Sequence, residues 1–382
     1  MSQTFVQLGS IAEFINGAAF KPEDWGESGM RIIRIQNLTD SNKPFNRTKR
    51  TVADRVRVQQ GDLLVSWSAT LGIFEWNDSE EALLNQHIFR VLPNEEKVNK
   101  RYLRHGLEGA ILDMQKHLHG ATMQHVNRGE FLSTKLYLPP LEEQKRIAEI
   151  LDRAEELRSK RREAIAQLNT LPQAIFLEMF GDPRKLSTKQ EIVPLSFLCY
   201  SINDGTHKTP NYVSCGVPFV TVKNITTGKL DFSNTKFISQ AEHTELTKRT
   251  KPERGDILVS KDGTIGVPCP VQTDAVFSIF VSVALLKLKA DIVDQIFLTT
   301  QLASEWVQEQ IRAGTKGIAI RHLHLTDFKR LRILLPPLAL QHEFAHRVEA
   351  IEKLKAAHRA SLSELDALFA SLQHRAFKGE LY

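Results

Sequence analysis

Leu138-Pro139-Pro140-Leu141 is followed by apolar residues on alternating three- and four-residue steps: Ile147, Ile150, Ala154, Leu157, Ala164, Leu168, Leu171 and Ile175. Leu335-Pro336-Pro337-Leu338 opens the same arrangement a second time. Phe344, Ile351, Leu354, Leu365, Leu368 and Leu372 keep its register at an offset of 197 residues. A Pro pair stops a strand and sets up a helix start, and a stripe of this period is the seam of a coiled coil. The spacing therefore predicts two long helices, 142–180 and 339–382. A helix over 142–178 spans roughly 55 Å at the standard rise per residue. Each helix exposes a seam that needs a partner, and the economical partner is the other copy, packed antiparallel within the chain. One polar position interrupts each stripe, Arg161 and its equivalent His358, a device that fixes alignment at a cost in stability. Packing of each stripe on its own globule is the alternative. Gly181-Asp182-Pro183 ends the first helix and begins a linker carrying Lys185, Ser187, Thr188 and Lys189.

Upstream of each Pro pair the chain also repeats. Gly61-Asp62-Leu63-Leu64-Val65-Ser66, followed by Thr70-Leu71-Gly72, returns as Gly255-Asp256-Ile257-Leu258-Val259-Ser260, followed by Thr264-Ile265-Gly266, at an offset of 194. Short apolar runs such as Arg31–Ile35 and His87–Leu92 have counterparts at Val217–Val222 and Ile279–Leu288, broken by Gly, Asn, Asp and Pro. These read as short strands and loops with a helix at Asn99–His117. The expected architecture is α/β (α+β): two globules, 1–141 and 181–338, separated by an intramolecular antiparallel coiled coil of the two helices, with pseudo-two-fold symmetry.

A length of 382 residues with 42% hydrophobic and 25% charged residues fits a globular protein of two or three domains. The net charge of +5 is unevenly placed: residues 181–338 hold 20 Lys+Arg against 15 Asp+Glu, while residues 1–141 hold 17 against 16. Cys199, Cys215 and Cys269 form no Cys-x-x-Cys pair, which argues against a disulfide framework or zinc ribbon and for a reducing cytoplasm. No run approaches the roughly 18 apolar residues of a membrane span, and Met1–Phe20 lacks a signal-peptide pattern.

Catalytic signatures are missing. The glycine-bearing repeats lack the Lys-Ser/Thr end of a phosphate loop, and neither a dinucleotide fingerprint nor a nucleophile elbow is present. No Asn/Asp-Pro-Pro-Tyr/Phe tetrapeptide occurs, since both Pro pairs are flanked by leucine. His342-Glu343-Phe344-Ala345-His346 matches His-Glu-x-x-His, a zinc and general-base pattern when on a helix. The repeat argues against it, because its counterparts are Lys145, Arg146 and Glu149 and because Phe344 and Ala345 match the seam residues Ile147 and Ala148.

Basic clusters recur. Arg47, Lys49, Arg50, Arg55 and Arg57 precede Gly61-Asp62, and Lys248, Arg249, Lys251 and Arg254 precede Gly255-Asp256. Such clusters suit phosphate contact; Arg47, Lys49, Arg50, Lys248, Arg249 and Lys251 are the candidates. Polar turns recur beside them: Ser66–Thr70 against Ser260–Thr264, and His119–Arg128 against Lys316–Leu325. These side-chain types can hydrogen-bond to base edges. Their flanks match while their tips differ.

The duplicated order of globule, Leu-Pro-Pro-Leu with Gln144 or Gln341, and long helix resembles the DNA specificity subunit of Type I restriction-modification systems. The Gly-Asp repeats at 61 and 255 and the Phe180-Gly181-Asp182-Pro183 helix end also look like that family. The resemblance covers essentially the whole chain. It implies that 1–141 and 181–338 are target-recognition domains, each reading one half of a bipartite double-stranded DNA site. It implies too that the helices set the gap and dock two methyltransferase (M) subunits, and that restriction/motor (R) subunits join them. S-adenosylmethionine, ATP and Mg²⁺ then belong to those partners, and this chain needs no cofactor or metal and performs no catalysis. By the resemblance, Ser66, Trp67, Ser68, Thr70, Gln124, His125 and Arg128 are expected at the first half-site. Lys223, Lys261, Thr264, Lys316, Arg321 and His322 are expected at the second. Ile147, Ile150, Leu157, Leu168, Ile351, Leu354, Leu365 and Leu368 are the expected seam. Two rival readings remain, a two-headed DNA-binding adapter of another methylation or defence complex and a coiled-coil protein scaffold.

Overall fold

The structure, a computed structural model, describes residues 4–117, 128–185, 191–314 and 323–381. Contacts divide the chain into two compact units: Met1–Arg162 with Ala360–Tyr382, and Glu163–Arg359. Two long helices, Leu141–Phe180 and Leu338–Lys378, each contribute one part to either unit.

In the first unit an antiparallel sheet runs in the order Ala12–Asn16, Ile88–Pro93, Leu63–Ser66, Gly72–Glu75. A second sheet joins Asn46–Thr48, Met30–Ile33, Ala82–Leu84 and Arg57–Val58, with a parallel pair between Met30–Ile33 and Ala82–Leu84. The second unit repeats the first sheet as Cys199–Asp204, Val283–Leu288, Ile257–Ser260, Pro268–Pro270. It repeats the parallel pair as Val217–Val220 with Ser278–Ile279. A two-stranded ribbon closes each globule just before its long helix, Phe5–Gln7 with Lys135–Tyr137 and Ile192–Pro194 with Arg332–Leu334.

The unbroken apolar runs at 63–65 and 257–259 belong to strands covered on both faces, as such a run requires. Side chains alternate across a strand. Leu63 and Val65 pack with Tyr102, Leu103 and Leu107 of the helix Lys100–His117, while Leu64 packs with Ile33, Val58 and Trp76 on the opposite face. Ile257 and Val259 pack with Phe297 and Leu298, and Leu258 turns to Val220 and Val271.

The Gly-Asp pairs start these strands. Gly61 at φ 89° and Gly255 at φ 97° occupy the left-handed region, where a Cβ is strained. The carboxylates then cap the turn: Asp62 Oδ2 accepts from the Gln59 amide at 2.7 Å and Asp256 Oδ2 from the Glu253 amide at 2.7 Å. The glutamines after each Pro pair are clamps. Gln144 Oε1 accepts from the Asn99 amide at 2.8 Å, and its Nε2 donates to the carbonyls of Lys97 (3.0 Å) and Pro139 (2.8 Å). Gln341 does the same with the Asp294 amide (2.9 Å) and the carbonyls of Ile292 (3.1 Å) and Pro336 (2.8 Å).

The helices pair in reversed order. In the first unit Ile147, Ala148, Leu151 and Ala154 share a core with Phe369 and Ala376. In the second, Phe176 and Phe180 lie 5.9 and 5.8 Å, ring centre to ring centre, from Phe344. Within each unit, then, the start of one long helix packs with the end of the other. Three of the eight expected seam residues need correction. Ile147, Leu168 and Ile351 are buried and Ile150 and Leu365 half-buried, but Leu157, Leu354 and Leu368 are exposed. From Ile147 the buried face steps to Leu151, Ala154 and the half-buried Arg158, so a four-residue step comes first where the expected register began with three. Leu157 is thereby turned outward. His342 and His346 of the His-Glu-x-x-His match are exposed, while Phe344 and Ala345 between them are buried.

Candidate nucleic-acid interface

Loops gathered at one end of the repeated sheet carry the candidate site. In the first unit the strand Leu63–Ser66 runs into a turn closed by Ser66, whose buried hydroxyl donates to the Thr70 carbonyl at 2.7 Å. Ala69 takes φ 59° within it. In the second unit the Ser260 hydroxyl closes on the Thr264 carbonyl and accepts from the Val267 amide at 2.9 Å, with Gly263 at φ 68°. Ser66 and Ser260 therefore shape the turn from beneath.

Neighbouring loops meet these turns in the same way twice. The Trp67 amide donates to the His87 carbonyl at 3.3 Å, and the Lys261 amide to the Ser282 carbonyl at 2.9 Å. A third loop is held by a buried asparagine. Asn37 Oδ1 accepts from the Arg34 amide at 3.1 Å and Asn224 Oδ1 from the Thr221 amide at 2.9 Å. At a fourth loop, Gly17 and Gly205 let one backbone approach another: an added Cβ would stand 2.2 Å from the Asn85 carbonyl oxygen or 2.0 Å from that of Ile279.

Side chains on this common frame differ. In the first unit Arg34, Gln36, Asn85 and His87 line a pocket of about 130 Å³. Trp67 stands beside it, its ring 5.4 Å from the His87 ring and 5.8 Å from that of Phe89. Arg128 lies over Phe89 at 5.8 Å and donates to the Phe14 carbonyl at 3.4 Å. In the second unit the centre is Asp204, buried, which accepts from Lys261 at 2.7 Å and Arg249 at 2.9 Å and lies 3.3 Å from His207. Burial pushes its carboxyl up, but the hydrogen bonds and charges of Lys261 and His207 outweigh this and hold it below the ordinary range. Such a site supplies cations and amides to an anionic, hydrogen-bonding ligand.

The family described as the Type I restriction modification DNA specificity domain matches residues 3–169 and again residues 198–367. The chain belongs to that family. It is 27% identical over 415 residues to the Type I restriction enzyme EcoBI specificity subunit of Escherichia coli, covering 98% of this chain and 85% of that one. It is 20% identical over 342 residues to the MjaVIII specificity subunit of Methanocaldococcus jannaschii, covering 85% and 80%. In fold it is similar to the S subunit of a Type I restriction-modification system from M. genitalium, with a TM-score of 0.55, 13% identity and coverage of 98% and 96%.

For a specificity-family chain the two recognition segments need side chains turned to solvent, and the expected residues divide on that test. Thr70, Thr264 and Lys223 are exposed and Trp67 and Lys261 half-buried, all on the gathered loops. Ser66 and Ser68 are buried, so they are corrected to scaffold: Ser66 ends the strand and Ser68 lies on the inner side of the turn that follows it. Gln124, His125, Lys316, Arg321 and His322 lie outside the described residues.

Most phosphate candidates are tied to carboxylates. Arg47 pairs with Glu80 (3.2 Å), Arg50 with Asp24 (2.9 Å), Lys251 with Glu253 (2.8 Å) and Lys248 with Glu245 (2.5 Å). Exposed pairs of this kind are weak and can exchange for phosphate. Arg249 joins the Asp204 cluster, whereas Lys49 is exposed with no carboxylate partner among the described residues. Arg34, Gln36, Asn85, His87 and His207 were missed by sequence reading. A signal existed at Asn37 and Asn224, whose shared offset of 187 from the first copy to the second marks the loop that carries Arg34 and Lys223.

Proposed function

We propose that this chain supplies the address of a Type I restriction-modification complex, each globule reading one half of a bipartite DNA site. Residues 1–141 and 181–338 are the reading segments, and 142–180 and 339–382 are the connectors that set the gap between half-sites. The observation that carries this reading is the frame built twice: the same strands, turns and asparagine-held loops present Arg34, Gln36, Trp67 and His87 in one copy and Thr221, Lys223, Lys261 and Ser282 in the other. One frame with two chemistries fits two different half-sequences.

The outward leucines support docking of two copies of one partner. Leu157 and Leu171 on the first helix correspond to Leu354 and Leu368 on the second at the offset of 197, and all four are exposed. Exposed large apolar side chains at repeated positions suit a protein interface. The partners in this reading are methyltransferase subunits, joined by restriction/motor subunits. S-adenosylmethionine, ATP and Mg²⁺ are bound by those subunits and this chain supplies no catalytic group. The working compartment is the cytoplasm, where the DNA is; no described helix is long and apolar enough to cross a membrane.

Selection of the full chain against a random duplex library tests the reading. Two short conserved blocks separated by a fixed run of unspecified bases are expected, with affinity falling steeply as salt rises. A single contiguous block, or binding that ignores salt, contradicts it.

A further inference from the structure

Between Arg31 and Arg104 one arginine is unlike its neighbours. Every other arginine from Arg31 to Arg104 pairs with a carboxylate within the unit. Among the described residues Arg34 is held by neutral groups alone. Its guanidinium carbon lies 5.0 Å from the Trp25 ring centre, and Nη1 donates to Asn46 Oδ1 at 3.3 Å. The charge is therefore uncompensated, and Arg34 is one of the residues around the pocket with Gln36, Asn85 and His87.

Position and preorganisation both matter. Arg34 follows the strand Met30–Ile33, and its own amide is fixed by Asn37 at 3.1 Å. An indole on one face and an amide on one N–H remove much of the rotamer freedom that binding would otherwise have to freeze. A guanidinium carries five N–H donors in a planar fork, so donors remain for a ligand. That fork matches the O6 and N7 acceptors of guanine in the major groove. Gln36 and His87 add groups that can donate and accept on the same wall. At the equivalent place in the second unit stands Thr221, whose hydroxyl donates to Asn224 Oδ1 at 3.1 Å, so at this place in the fold the fork belongs to the first unit.

We propose that Arg34 is a specificity-determining residue of the first reading segment and that it recognises a guanine in that segment's half-site. The proposal rests on the DNA-reading function given above and names the base class that one pocket takes.

The test compares wild-type chain, Arg34→Ala and Arg34→Lys in selection from a random duplex library, with melting curves for each. The wild type should show a G·C pair in one half-site. Arg34→Ala should accept other pairs at that position, the preference for G·C falling roughly 5- to 150-fold, while the other half-site and the gap stay as they were. Arg34→Lys keeps the charge and loses the fork, so it should bind duplex with the same salt dependence and relax the same position. It carries the test if the alanine variant does not fold. Unchanged base preference in Arg34→Lys, or a change confined to a pair other than G·C, overturns the proposal. A wild-type chain that selects no bipartite site overturns the function on which it rests, and this assignment with it.

Discussion

Arg158 of the first long helix places its Nε 2.6 Å from Oδ1 of Asp366 on the second, with its guanidinium carbon 4.3 Å from the ring centre of Phe369. The arginine stands where the expected register put Leu157. Its stem and planar head cover Phe369, which is buried, while the charge reaches a half-exposed carboxylate. A long cation can thus serve as an interhelical residue where a leucine was expected.

Arg158→Ala should destabilise the first unit by about 1–2 kcal/mol, combining a partly exposed ion pair with a cation–π contact. Phe369→Ala should cost more, about 3–5 kcal/mol. Urea unfolding of the single and double variants checks this. Arg158→Ala and Asp366→Ala should be less than additive; full additivity would show that the pair contributes no coupling.

Gln144→Leu should cost about 2–4 kcal/mol, because the Asn99 amide and two carbonyls lose partners in a buried site. Gln144→Glu should also destabilise, since a carboxylate can accept from Asn99 but cannot donate to Lys97 and Pro139. Gln341→Leu should repeat the effect in the second unit. Chemical denaturation of each variant measures it, and a neutral Gln144→Glu would remove the clamp as an explanation for the repeated glutamine.

Thiol reactivity should separate the three cysteines. Burial pushes the Cys199 and Cys269 thiols up to about 12, whereas Cys215 is exposed. A thiol reacts as its thiolate. Mass spectrometry after brief alkylation of the native chain should find Cys215 labelled and the other two protected until urea is added.

Acid should weaken the second unit in a defined window. Hydrogen bonds from Lys251 and Lys287 hold Glu253 down to about 2 against an ordinary 4.5. Since the folded value is the lower one, the contribution is present above pH 4.5 and is lost as pH falls toward 2. Glu253→Gln should flatten that part of the stability curve, and carboxyl titration by NMR should place Glu253 below the other exposed glutamates.

The repeat was legible in the sequence because scaffold residues are the ones that recur. Gly61 and Gly255 recur for their left-handed backbone, Asp62 and Asp256 for capping a turn, and Gln144 and Gln341 for clamping the helix start. The candidate site was less legible for the same reason. Its side chains differ between copies, so Arg34 and Thr221 share a place in the fold and no chemistry. Ser66 was misplaced because a polar turn signal does not say which side of the turn a hydroxyl faces. Leu157 and Leu354 were misplaced because a stripe on three- and four-residue steps can be entered in either of two registers, and only packing chooses between them.

Docking on the outward leucines can be separated from stability. Leu354→Asp and Leu368→Asp lie on exposed positions, so each should shift stability by no more than about 0.5 kcal/mol. Co-purification with a Type I methyltransferase subunit should nevertheless fall sharply. Undiminished capture by both variants would place the docking surface elsewhere.

Co-production of the full chain with a methyltransferase subunit of this system, followed by genome-wide mapping of methylated adenines, addresses the central claim most directly. Methylation should fall on a motif of two short blocks separated by a constant number of unspecified bases, and exchanging residues 181–338 for those of another family member should rewrite one block alone. A contiguous motif, or an exchange that rewrites both blocks, would contradict two independent readers on one chain.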